Sequence, residues 1–480
     1  MNSFSLSQKI GLLLGPLLFI IFINFPVELV SKEADKVVAI ALWMIIWWIT
    51  EAVSISVTAL LPLVIFPLTG IMDIKEVSAS YGSPIIFLFF GGFIMALALE
   101  KVNLHKRIAL NIIKLTGTSP NKIILGFMIS TAFLSMWISN TASTLVMLPI
   151  GLSVIHLLIN DEDGFTKKDR NFALSIMLGI AFSANVGGIA TIIGTPPNSV
   201  LIGLLEREYQ IEISFLKWMS VGLPFSIIMI AVIYIIMVKV IYPNHLQSFN
   251  ASENVIQKEI DLLGSLRTSE RKVIVVFILA IFFWIFRTHI NSIFSNFRIT
   301  DTEISIWTAI ILFIIPDNFK KGTFVLKWDD TSKIAWGILI LFGGGLALAS
   351  GLSKTGLVDL IATSIASYEN ISILAIVSLL ILLMLFMTEL MSNVALVAVL
   401  APVVAGIAMG LKIPILYALI PVTMASSCAF MLPMATPPNA IVFSSGYVKV
   451  KDMVKAGVFL NLIAVGLLII LFNYFIPLVF

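Results

Sequence analysis

Residues able to offer uncharged oxygen ligands recur in this chain as two matched sets. Ser135, Ser139, Asn140 and Thr141, within Ser-Met-Trp-Ile-Ser-Asn-Thr, stand ahead of Gly194-Thr195-Pro196-Pro197-Asn198. Thr388-Glu389-Leu390-Met391-Ser392-Asn393-Val394 stands at a like interval ahead of Ala435-Thr436-Pro437-Pro438-Asn439. The registers agree, because 388−135, 392−139 and 402−149 (two prolines) all equal 253. Hydroxyls, amide oxygens and unwound backbone carbonyls suit a hard alkali cation such as sodium. Proline cannot continue a preceding helix, yet it fits the first turn of the next one. Each Thr-Pro-Pro-Asn therefore ends one half-helix at its carbonyls and starts another with free N–H groups. The carbonyl end attracts a cation. The N-terminal end, worth roughly half a positive charge, attracts an anion.

The elements that hold these sets lie in a membrane. The chain is 59% hydrophobic and 12% charged, against about 25% charged in soluble domains. Its mean hydropathy is +1.06, and apolar runs long enough to cross about 30 Å of hydrocarbon recur throughout. The run Leu12 to Val27 lacks a small-residue cleavage site and reads as a retained helix. One cysteine, Cys428, excludes a disulfide framework. Four scattered histidines give no metal-ligand spacing, and a net charge of +3 gives no basis for nucleic-acid binding. Neither a HExxH motif nor a Gly-Ser-Gly nucleophile setting occurs, so the sequence does not read as an enzyme.

The apolar pattern predicts a first repeat over residues 1–243. Its scaffold helices lie within about 10–117, at 10–30, 37–50, 53–70 and 84–117, the last bent near Gly91-Gly92 or Glu100. A hairpin at 121–158 and a broken helix at 171–206 follow, then a helix at 217–243. Residues 244–270 read as a polar linker. The second repeat, 271–480, has helices at 271–289, 303–316 and 334–367, a hairpin at 371–408, a broken helix at 414–445 and a last helix at 454–478. Each hairpin carries its polar residues at membrane depth, where bare backbone survives only against protein or a water-filled cavity. With the amino terminus in the cytoplasm and about eleven crossings, the carboxy terminus lies outside. On that arrangement 21 of the 30 Lys and Arg lie inside, as the positive-inside rule requires. The two halves then have inverted topology.

Formal charge is nearly absent around the paired sets. No Lys, Arg, Asp or Glu lies between Lys122 and Asp161, or from Phe172 to Leu205. From Ile371 to Leu411 only Glu389 is charged. Candidates for a proton relay reduce to Glu389, Glu51 and His156. A dianion can bind such a site when cations travel with it. Ser135 and Thr388 have a plainer alternative, bonding back to the carbonyl four residues earlier. Gly91, Gly92 and Gly343 to Gly345 read as close-packing positions between helices.

The paired Ser-Asn-Thr and Thr-Pro-Pro-Asn motifs resemble those of the divalent-anion/sodium symporters. Thr50-Glu51-Ala52 running into Thr58-Ala59-Leu60-Leu61-Pro62 is similar to that family's early signature, and the likeness extends from about residue 40 to 445. The resemblance implies an all-α polytopic fold with two re-entrant hairpins and two broken helices, assembled as a homodimer in the cytoplasmic membrane and working as an elevator. It implies a first sodium site from Ser135, Ser139 and Asn140 with the Gly194 carbonyl. A second would use Thr388 and Asn393 with carbonyls of Met391 and Ala435. The substrate carboxylates would meet Asn140, Thr141, Asn393 and Thr436, near Pro196 and Pro437. Val394 departs from the pattern by replacing the threonine of the second triplet. The lost hydroxyl favours a four-carbon dicarboxylate such as succinate, fumarate or malate over citrate. Sulfate or a tricarboxylate, an exchanger and a proton-coupled carrier remain as alternatives.

Overall fold

The computed structural model describes residues 4–27, 29–117, 119–159, 165–246, 251–294, 298–320, 322–367 and 372–480. Those residues are predominantly helical; one short ribbon pairs Pro316–Asn318 with Thr323–Phe324. Among the described residues eight helices are long and apolar enough to cross a membrane, and several shorter apolar helices accompany them.

Both hairpins form, and their breaks fall at the polar sets. The first comprises Pro120–Ser135 and Asn140–Ile159, the second Ile373–Met387 and Asn393–Gly410. Ser139 starts the second arm of the first hairpin by accepting the Ala142 N–H at 3.2 Å. Ser392 does the same for Ala395, so each tip is closed by a serine cap that satisfies an otherwise orphaned donor. The broken helices run Lys167–Ile189 then Pro196–Tyr209, and Ile415–Ser426 then Pro437–Ser444. Each second half opens on a proline, where the missing N–H is an orphan in any case.

These four elements interleave across the repeats. The Asn140–Ile159 arm packs on Pro437–Ser444, and the Asn393–Gly410 arm packs on Pro196–Tyr209. Lys167–Ile189, fully buried from Phe172 to its end, packs on both Asn140–Ile159 and Pro437–Ser444.

Several boundaries differ from the sequence reading for identifiable reasons. The 84–117 span does not bend at Gly91-Gly92 but breaks just past Glu100, the other expected place, stopping at Lys101 and restarting as Leu104–Thr116. Asn103, at φ 60°, makes the left-handed turn. The second repeat repeats the device: Trp336–Lys354 and Leu357–Ala366 flank Gly356, at φ 78° and 253 positions beyond Asn103 (356−103). Gly91 instead sits inside an unbroken helix, against Ser305, and Gly344 against Ala59. The 53–70 span divides into Ile55–Thr58 and Leu61–Thr69, with Pro62 in the first turn of the latter. Within 244–270 the helix Ala251–Leu263 forms, its Ile256 buried. Arg107 fastens its end, donating to the carbonyls of Leu263 and Gly264 while pairing with Glu270 at 3.1 Å.

Candidate functional site

Ser135 ends the first hairpin's incoming arm, so its hydroxyl points across the break instead of back along its own helix. It lies 2.6 Å from Asn140 Oδ1 and 2.6 Å from the Ala184 carbonyl. The back-bond to the preceding turn is not made, although Thr131 nearby makes one to Phe127. The terminal amide atom of Asn140 that faces Ser135 also lies 3.2 Å from the Ala184 carbonyl and 3.3 Å from the Gly194 carbonyl. With the amide nitrogen turned inward, its two hydrogens and the Ser135 hydroxyl proton together satisfy the three oxygens. With the amide oxygen inward, four oxygens share at most one proton, and a cation completes the group. Ser135 is fully buried.

The second set repeats this geometry. Thr388 Oγ1 lies 2.7 Å from Asn393 Oδ1 and 2.8 Å from the Ser426 carbonyl. Ser139, Gly194, Met391 and Ala435 sit at the tips and breaks as their positions require.

The breaks are held open by residues that the sequence reading did not single out. Asn198 Nδ2 donates to the carbonyls of Gly188 at 3.3 Å, Ile189 at 3.3 Å and Thr191 at 2.8 Å. Asn439 Nδ2 donates to those of Ala429 at 3.1 Å and Leu432 at 3.0 Å. These pairs match at an offset of 241 (439−198, 429−188, 432−191). That second offset is the signal that would have found them. The last residue of each Thr-Pro-Pro-Asn thus bridges its own gap, which fixes the unwound carbonyls without closing them into helix.

Asn185 joins the two breaks. Its Nδ2 donates to the Ala429 carbonyl at 3.3 Å, Thr436 Oγ1 at 3.1 Å and Asn439 Oδ1 at 3.3 Å. Thr436 also caps its half-helix at the Asn439 N–H. Thr191 Oγ1 donates to the Met136 carbonyl at 2.6 Å, pinning the first tip to the first break.

A cavity of about 320 Å³ opens beside the first tip. Ser139, Thr141, Gly194 and Pro196 line it together with Phe89, Phe93 and Ile338. Asn393, Val394, Thr436 and Pro437 are not among its lining residues, so it touches one of the two expected carboxylate sites. Through Glu100 and Lys333 it shares its wall with a second cavity of about 340 Å³, whose rim carries Lys101, His105 and Asp330. Lys101 and Asp330 pair there at 2.6 Å. Burial pushes the Asp330 carboxyl up, but hydrogen bonds from Lys101 and the Lys327 backbone outweigh it and hold the group below the usual carboxylate range. Glu51 and His156 are exposed, away from both tips.

The family described as "Sodium:sulfate symporter transmembrane region" matches residues 7–480. The chain is 39% identical over 99% of its length to the sodium-dependent dicarboxylate transporter SdcS of Staphylococcus saprophyticus, covering 93% of that protein. It is 42% identical over 99% of its length to SdcS of Staphylococcus aureus strain USA300, covering 92% of it. Among solved structures, Neisseria gonorrhoeae MtrF, described within a class of antimetabolite efflux pumps, aligns with a TM-score of 0.59 at 13% identity, over 95% of this chain and 97% of that one. The Alcanivorax borkumensis YdaH transporter aligns at 0.54 and 10% identity, over 98% of each chain. At these identities the two structures speak for the fold alone.

Proposed function

The chain belongs to the sodium:sulfate symporter family, a family of transporters and not of enzymes, and on that premise we propose that it imports a small dicarboxylate together with sodium. The carrying observation is the Asn140 amide gathered with the Ser135 hydroxyl and the Ala184 and Gly194 carbonyls beside a cavity that meets a half-helix N-terminus. Sodium at the two tips supplies the positive charge that the apolar lining withholds. The positive dipole ends at the starts of Pro196–Tyr209 and Pro437–Ser444 orient the carboxylates. Ser135, Ser139, Asn140 and Gly194 hold one ion, and Thr388, Met391, Asn393 and Ala435 the other. Asn140, Thr141, Pro196, Asn393, Val394, Thr436 and Pro437 surround the dianion.

The relatives' printed names, sodium-dependent dicarboxylate transporters of bacteria, support both this reading and a place in the cytoplasmic membrane. The Lys and Arg distribution supports a cytoplasmic amino terminus. The cavity rim at Lys101 and Lys333 then faces the cytoplasm. The transporter works as a homodimer whose interleaved hairpins and broken helices move as one body. Uptake of labelled succinate into proteoliposomes is expected to require a sodium gradient, and equal uptake in potassium would overturn the coupling.

Substrate choice turns on Val394. It occupies the place 253 positions beyond Thr141 (394−141), where a hydroxyl is lost. Val394→Thr restores a donor and is expected to improve citrate competition against succinate uptake by roughly tenfold, the scale of one hydrogen bond to a charged group. An unchanged ranking of competitors would separate this side chain from selectivity.

A further inference from the structure

The two breaks are clasped by different chemistry. In the first repeat Thr191 Oγ1 donates to the Met136 carbonyl. At the corresponding places the second repeat has Glu389 (136+253) and Leu432 (191+241): the break still donates to the tip, but the side-chain partner moves from the break to the tip. The Leu432 N–H donates to Glu389 Oε2 at 3.0 Å. Glu389 Oε1 accepts the N–H of Phe430 at 2.8 Å and of Met431 at 2.9 Å, with Asn461 Nδ2 at 2.8 Å. The residue is 2% exposed. All four partners are donors without formal charge, and no basic residue lies between Ile413 and Val448.

We propose that Glu389 gives the second cation site a fixed negative charge which the first site lacks, so that sodium fills the Thr388–Asn393 site first and holds it more tightly. This rests on the sodium-coupled reading above. Glu389 follows Thr388 directly in the chain, and Thr388 contributes the hydroxyl between Asn393 and the Ser426 carbonyl. Its carboxylate also fixes residues 430–432, the unwound backbone leading to Ala435. In a low-dielectric interior a full charge outweighs the partial charges of amides and hydroxyls. Glu389 is thus a positioning residue: it touches no ion, and acts through backbone and field. The first site, with Met136 in the equivalent place, depends on dipoles alone.

Sodium-induced thermal stabilisation of the purified full chain, with choline as the balancing cation, tests this. Glu389→Gln is expected to raise the half-maximal sodium concentration on the order of tenfold. Asn140→Ala should keep the tighter sodium response, and Asn393→Ala should lose it. A Gln variant with lower starting stability and an unchanged sodium midpoint would reduce Glu389 to a structural clasp and overturn the proposal. Equal midpoints in the two Asn variants would overturn it as well, and that pair decides the matter if the Gln variant does not fold. A wild-type protein with no sodium response would instead bring down the coupled-transport reading on which the proposal rests.

Discussion

Asn140→Ala is expected to lower sodium-driven dicarboxylate uptake at least a hundredfold while the protein still elutes as a folded species. The amide is the one group that meets Ser135, Ala184 and Gly194 together. Its removal leaves buried oxygens facing each other across a gap. Leaving such groups unsatisfied costs about 1–3 kcal/mol, more where an ion is the missing partner. That loss falls on ion binding, because without the amide oxygen a cation has an incomplete shell in an apolar surround. Asn393→Ala should act equally on uptake, since Asn393 stands in the same relation to Thr388. Initial uptake rates at several sodium concentrations, alongside size-exclusion profiles, check both. Near-normal sodium-driven uptake by either variant would show that the ions bind elsewhere.

Gly188→Ala is expected to be nearly as damaging, although it adds only a methyl group. A Cβ at Gly188 would lie 2.5 Å from Asn140 Oδ1 and 3.1 Å from the Gly194 carbonyl. Those are the atoms of the first oxygen cluster. Space cannot be made easily, because the adjoining Gly187 rests against the backbone of Ala132 and Asn198 pins the Gly188 carbonyl. The methyl therefore displaces the ion or the amide. Sodium-dependent uptake should fall by more than tenfold, an effect of the size that overpacking a tight interior produces. Gly179→Ala on the same helix is the control. Its Cβ would meet the flexible Met128 side chain, nearest atom 3.1 Å away, and uptake should stay within about twofold. Equal behaviour of the two variants would mean that Gly188 is only a packing position.

What the sequence made legible was whatever it said twice. Ser135, Asn140, Thr388 and Asn393 stood out because their spacing is duplicated, and the hairpin tips fall where that duplication placed them. Asn185 carries no such mark. It lies in an apolar span, and 241 positions on stands Ser426, which bonds to its own helix. Thr191 was hidden for a similar reason, since its counterpart Leu432 contributes only a backbone N–H. The Asn198 and Asn439 bridges obey the shorter offset of the broken helices, which differs from that of the hairpins. Of the two places expected for the bend, Gly91-Gly92 and Glu100, the second holds, and a left-handed asparagine at 103 does the turning. The helix Ala251–Leu263 was obscured by its polar composition, although Ile256, Ile260 and Leu263 recur at helical spacing on one face.

The exchange of partners between hairpin arms and half-helices reaches further than packing. Because the arm Asn140–Ile159 lies on Pro437–Ser444 and Asn393–Gly410 lies on Pro196–Tyr209, neither half of the gene encodes a finished interior. Each hairpin arm is walled partly by a half-helix of the other half, so a lesion in one half is expected to loosen both.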